Sequence, residues 1–258
     1  MRCAFLTFSL LTLFGCSQEP KPGTIFLQDF SISTTGISSG FAWFVPESGY
    51  SPNCTRSTVA GCQITDCVIP STGSSAQVVA MDNAGTITAT GSGGSAAMTF
   101  GANGYDGFST SPALWAEDET ITVSSTGGTV PPLTGQTVTA PHPITLTSPA
   151  CDAEIGPDCG SISRASPLSV SWTGGAGNKV LVGILSAGTH DFTKIECVVD
   201  SSPATIDPLV LAKIRPSSAA QNTFNISSFN ETNFTVGAYD TSLQVHGRPI
   251  MRFFGTSD

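Results

Sequence analysis

The amino-acid sequence predicts an all-β protein, built as two antiparallel β-sandwich domains with one short helix. Three observations predict it. Apolar and hydroxyl-bearing residues alternate with a period of two in stretch after stretch, as in half-buried antiparallel strands. Gly 27 and Pro 17 supply the chain reversals that a protein of short strands requires. Only 11% of residues are charged, against roughly a quarter in ordinary globular chains, which leaves little material for exposed helix faces. With 40% hydrophobic residues and a net charge of −9, the composition is not that of a disordered chain.

The first element is an export segment. Arg2 is followed by an uncharged, mostly apolar run through Phe14 and then by Gly15, the pattern of a signal peptide. This run is too short for the roughly 20 helical residues that span a bilayer. Leu13-Phe14-Gly15-Cys16 resembles the lipobox of bacterial lipoproteins, with Phe14 bulkier than the small residue usual there. That resemblance implies removal of residues 1–15 and attachment of diacylglycerol to the Cys16 thiol, with a further acyl chain on the new amino group. More than one acyl chain gives stable anchoring. Residues 16–23 then read as a lipidated tether, and Ser17, rather than Asp, after Cys16 resembles outer-membrane sorting. The localisation implied is the bacterial envelope, and the partner implied is a lipid bilayer reached through Cys16.

The strands follow. Thr86-Ile87-Thr88-Ala89-Thr90, Thr120-Ile121-Thr122-Val123-Ser124, Ile144-Thr145-Leu146-Thr147 and Leu168-Ser169-Val170-Ser171-Trp172 each place apolar groups on one face. Val180 to Leu185 is nearly continuous and apolar, as a central strand would be. Phe234-Thr235-Val236 and Ile250-Met251-Arg252-Phe253-Phe254 read as late strands. The one helix is expected near residues 207–215, with Asp207 as cap, Pro208 in the first turn and Pro216 as stop. Ala140-Pro141-His142-Pro143 marks a boundary, giving sandwich domains over 24–140 and 141–258. The cadence from Pro167 through Trp172, a Gly-Gly turn and a hydrophobic strand resembles immunoglobulin-like modules.

Six cysteines remain after Cys3 and Cys16: Cys54, Cys62, Cys67, Cys151, Cys159 and Cys197. An even set in an exported chain suggests disulfides. If Ala60-Gly61 is a two-residue turn, Val59 faces Cys62 and Cys54 falls opposite Cys67, within bonding reach. Cys151 and Cys159 enclose a turn-rich loop suited to local closure. Cys62 and Cys197 are left, either as a bridge between the two halves or as buried thiols.

No catalytic or cofactor constellation emerges. Gly36-Ile37-Ser38-Ser39-Gly40 fits the hydrolase nucleophile pattern in letters, but that pattern belongs between a strand and a helix, and strand-like residues follow it here. His190-Asp191 looks like an exposed turn, His142 sits between two prolines, and His246 precedes a glycine. Calcium could be sought at Asp82-Asn83, at Asn103 with Asp106, or at Asp152, Glu154 and Asp158, yet none matches a known loop pattern and solvated turns are expected. Among aromatic residues, Trp43, Tyr50, Tyr105 and Trp115 are sugar-stacking candidates. Trp172 and Trp43 are expected in the core, which leaves Tyr105 and Trp115 as the ligand-contact pair. The Asn-x-Ser/Thr sequons beginning at Asn225, Asn230 and Asn233 matter only in a eukaryotic secretory pathway.

Charge excludes a further class. Residues 24–140 hold eight acids and one base, a balance of −7, and residues 141–258 hold ten acids and seven bases, a balance of −3. Without clustered Lys or Arg, a nucleic-acid partner is not expected. The chain as a whole resembles bacterial lipoproteins of β-sandwich build, from which no activity can be carried over. The expected function is non-enzymatic: an anchored structural, adhesive or ligand-binding protein, with a glycan or protein as ligand. The alternatives are a carbohydrate-binding surface protein and a hydrolase with an unfamiliar site.

Overall fold

The computed structural model describes residues 21–32, 35–44, 54–68, 81–102, 104–150 and 160–257. The first half forms β1 (Lys21–Ile32), β2 (Thr35–Phe44), β3 (Cys54–Val59), β4 (Cys62–Val68), β5 (Ile87–Gly91), β6 (Gly94–Gly101), β7 (Gly104–Asp106), β8 (Phe108–Thr110), β9 (Thr120–Ser125) and β10 (Gln136–Thr139). The second half forms β11 (Ile144–Ser148), β12 (Ser161–Ser163), β13 (Leu168–Gly174), β14 (Lys179–Ala187), β15 (Asp191–Val199) and β16 (Ala204–Ile206). It continues with α1 (Pro208–Leu211), β17 (Gln221–Val236), β18 (Tyr239–His246) and β19 (Ile250–Ser257). Over the described residues the protein is all-β, as the alternation predicts, with one short helix. Among the described residues no helix is long and apolar enough to cross a membrane.

Two cores organise these strands. In the first, the sheet β10-β9-β5-β6-β7 sets Ile87, Ala89, Met98, Ile121 and Val123 against Ile25, Leu27, Phe44, Leu243 and Val245 of β1, β2 and β18. In the second, the sheet β11-β13-β16 brings Val170, Trp172 and Ile206 against Val182, Ile184, Ile195, Phe224 and Ile226 of β14, β15 and β17. This second sandwich lays one sheet over another, with β14 between β15 and β17 in the larger sheet. Ile87, Ala89, Ile121, Val123, Val170 and Trp172 are residues that alternation pointed inward, because a strand buried on one face shows its burial every second residue.

The cores divide near the Ala140–Pro143 run, but β18 belongs to the first core and two further segments cross the division. The hairpin β3–β4 adds to the open edge of β15, so Cys62 and Ile64 belong to the second core. Strand β17 pairs through Gln221–Phe229 with β14 and through Phe229–Val236 with β18, so its 16 residues run from one sandwich into the other. Its polar side chains also hold the connecting segment: Asn230 Nδ2 donates to the Thr139 carbonyl at 3.0 Å, and Thr232 Oγ1 to that of Thr137 at 2.9 Å. Strands from both halves therefore share one eleven-stranded sheet.

Two expected boundaries shift. The tether expected over residues 16–23 gives way earlier to strand, since Lys21, Pro22 and Gly23 are already paired with Tyr239, Asp240 and Thr241. The helix expected over 207–215 closes after four residues. Lys213 and Ile214 donate three residues back, to Val210 and Leu211, as a tightened turn, and the residue before Pro216 is steered away from helix. The expected cap is present: Asp207 accepts from the Leu209 N–H at 2.7 Å. Replacing Asp207 by Ala should cost about 1 kcal/mol in urea unfolding. A change under a few tenths would show that burial of Val210 and Leu211, rather than the cap, holds this turn.

Candidate functional site

At one end of the second sandwich the β13–β14 turn and the turn after β15 enclose a cleft of about 550 Å³, within the size range of small-ligand sites. Its walls include Trp172, Asn178, Lys179, Asp200 and Ser202 together with the glycine-rich turn. The turn needs its glycines. Gly174 and Gly175 have φ of +80° and +68°, and a Cβ would lie 2.6 Å from the Pro143 carbonyl oxygen and 2.5 Å from Ile144 Cγ2 respectively. The two turns are tied together where the Trp172 N–H donates to Ser202 Oγ at 2.9 Å.

The decisive group is Asn178. Its Nδ2 is buried and finds no acceptor among the described residues. An unmet buried donor costs about 1–3 kcal/mol, so the wall of the cleft holds an unsatisfied polar group. Lys179 reaches toward Glu231 at 4.0 Å. Burial would raise the Glu231 carboxyl, but hydrogen bonds from Ser242, Gln244 and Asn233, with the Lys179 charge, outweigh it and hold the group below its ordinary value. The cleft thus offers an amide donor, an ammonium, a carboxylate and hydroxyls beside an indole. It is equipped to hold a small polar molecule.

The outer face of the large sheet carries a second arrangement, in which Trp43, Phe41, Phe26, His246 and Phe229 stack in sequence. Successive ring centroids are 5.2, 4.7, 4.5 and 5.0 Å apart, with planes within 28° of parallel. The inner rings stack on both neighbours, and at the Trp43 end of the row Phe41 is 42% exposed. Ser227 Oγ lies 3.1 Å from His246 Nδ1, a serine–histidine pair that the sequence concealed across 19 residues. Both are buried, at 5% and 3% exposure, and burial pushes the imidazole down to about 4, with Lys194 adding to the effect and Glu231 opposing it.

The aromatic candidates read from sequence are placed differently. Trp115 is 4% exposed in the first core. Tyr105 is half-buried, accepts from the Ala84 N–H at 2.6 Å and sets its ring edge-on to Phe44 and Phe100. Trp115 is closed off in the core, and Tyr105 keeps part of its ring exposed. Trp43, expected in the core, instead sits half-buried on the opposite face while Ala42 and Phe44 turn inward. Ser38 of the glycine–serine pattern lies mid-strand, fully buried, with its hydroxyl donating to Asp29. Asp82 accepts from the Tyr239 hydroxyl and faces Lys21. No cluster of three metal-binding side chains occurs among the described residues. Asn103, Tyr50, Cys16, Cys151, Cys159 and the Asp152–Glu154–Asp158 set lie outside the described residues.

Cysteine geometry holds where it can be followed. Val59 faces Cys62, Cys54 faces Cys67, and Cys54–Cys67 is bonded. The pair left open is also bonded, Cys62 to Cys197, on adjacent strands β4 and β15.

No protein-family model and no curated protein matches this chain.

Proposed function

We propose that this chain is an envelope lipoprotein, anchored through acylated Cys16, that binds a small polar ligand in the cleft between Trp172 and Ser202 without transforming it. The observation that carries the binding reading is the buried, unpartnered amide of Asn178. The anchor reading is supported by Leu13-Phe14-Gly15-Cys16 after an apolar run. Carbohydrate is the favoured ligand class, since a sugar supplies hydroxyl acceptors to Asn178 and Lys179 and hydroxyl donors to Asp200.

Two variants test the two parts. Cys16→Ser should move the chain from the membrane to the soluble fraction and abolish the mass increment of acylation. Retention on membranes by this variant defeats the anchor. Asn178→Leu should weaken glycan-array binding at least tenfold. It should also leave the unfolding midpoint unchanged or higher, because an unmet donor has been removed. Full binding by Asn178→Leu, or an array without hits for the native chain, removes the carbohydrate reading.

A further inference from the structure

The short reach between Cys16 and the first strand constrains how the body meets a membrane. Five residue steps separate Cys16 from Lys21, a span of at most about 18 Å. Lys21 cannot readily move off to lengthen it. Its N–H donates to the Ala238 carbonyl at 2.9 Å, its ammonium lies 3.9 Å from Asp82 and 5.4 Å from the Tyr239 ring centre, and parallel pairing with β18 begins at this residue. Two residues later Gly23 is pressed against Phe44, whose ring would lie 2.8 Å from a Cβ there, and Ile25 is fully buried. Peeling β1 away would break this ladder and open the first core.

The surface beside Lys21 is the β17–β18 turn, where Gly237 and Ala238 are exposed and Pro131 abuts Gly237. The charges beside it among the described residues are the Lys21–Asp82 pair and Asp240, which accepts from Thr235 Oγ1. This near-neutral end suits the headgroup layer better than the rest of a chain carrying −9. From this turn β17 runs back for 16 residues, a contour of about 50 Å, and its far end pairs with Ala187 beside the exposed β14–β15 turn. We infer that the protein stands end-on, with the β17–β18 turn and Pro131 against a lipid headgroup surface and the second sandwich held away from it. This rests on the proposed lipidation of Cys16.

The test uses the full lipidated chain in phosphatidylcholine vesicles whose headgroups carry a nitroxide quencher. A fluorescent amino acid is placed at Ala238 or at Thr189, both exposed, which leaves the cysteines untouched. Quenching at position 238 should exceed that at 189 at least threefold, and a twelve-residue Gly-Ser insertion after Pro20 should erase the difference without changing the unfolding midpoint. Equal quenching in chains that float with the vesicles overturns the orientation alone. Chains that fail to float overturn the anchor and the orientation together.

Discussion

Replacing Cys62 and Cys197 together by Ala is expected to lower the unfolding free energy by about 5 kcal/mol, the larger of the two described disulfide effects. The bond closes a sequence separation of 135 residues, whereas Cys54–Cys67 closes 13. Chain-entropy reasoning assigns about 5 kcal/mol to the first loop and about 3 kcal/mol to the second. The structural consequence is also larger. Cys62 joins the first-half hairpin β3–β4 to β15, an attachment otherwise made by the β4–β15 ladder and the hydrogen bond from Thr193 Oγ1 to Asp66 at 2.6 Å. Urea unfolding of the two double-alanine variants gives the comparison, and limited proteolysis should cut the hairpin first in the Cys62/Cys197 variant. A smaller loss there than from the Cys54/Cys67 variant would mean that the hairpin is held by strand pairing alone.

How much of this was legible in the sequence depends on whether a strand has one apolar face or two. At Ile87 and Ala89, at Ile121 and Val123, and at Val170 and Trp172 the alternate residues are hydroxyls, so the alternation by itself names the inward face. Phe41-Ala42-Trp43-Phe44 offers no such contrast. Its inward residues are the small Ala42 and Phe44, while Phe41 and Trp43 stack with Phe26 and His246 on the other face. The Cys54–Cys67 register followed from local counting across a turn. The attachment of β3–β4 to β15 did not, since a strand's non-local partner leaves no local trace; its one sign was a pair of cysteines remaining after local pairing. The cleft was visible only as a glycine turn. The turn holding Asp200 and Ser202, more than twenty residues later, lines the same cleft as Asn178.

Acidification should move the stability of two single variants in opposite directions, and the cause is a half-buried carboxyl and a buried imidazole that oppose each other. The Asp29 carboxyl accepts from Ser38 Oγ at 3.0 Å, and Ser38 Oγ accepts from the Leu114 N–H at 2.9 Å. Burial pushes Asp29 up from 3.8 to about 6, with Ser38 and the Trp115 indole offsetting part of it. A raised carboxyl pKa contributes stability that is fully present below pH 3.8 and is lost as pH rises through 6. His246, pushed down from 6.5 to about 4 by burial, works the other way: its contribution is present above pH 6.5 and is lost as pH falls through 4. Between about pH 7.5 and 4.5 the histidine should remove about 2.5 kcal/mol, and Asp29, partly open to solvent screening, should return about 1 kcal/mol. Over that interval Asp29→Asn should therefore lose stability more steeply than the native chain, while His246→Gln should gain it. Urea midpoints at the two pH values decide the matter, and equal slopes in both variants would show that neither group is held in the protonation state its surroundings dictate.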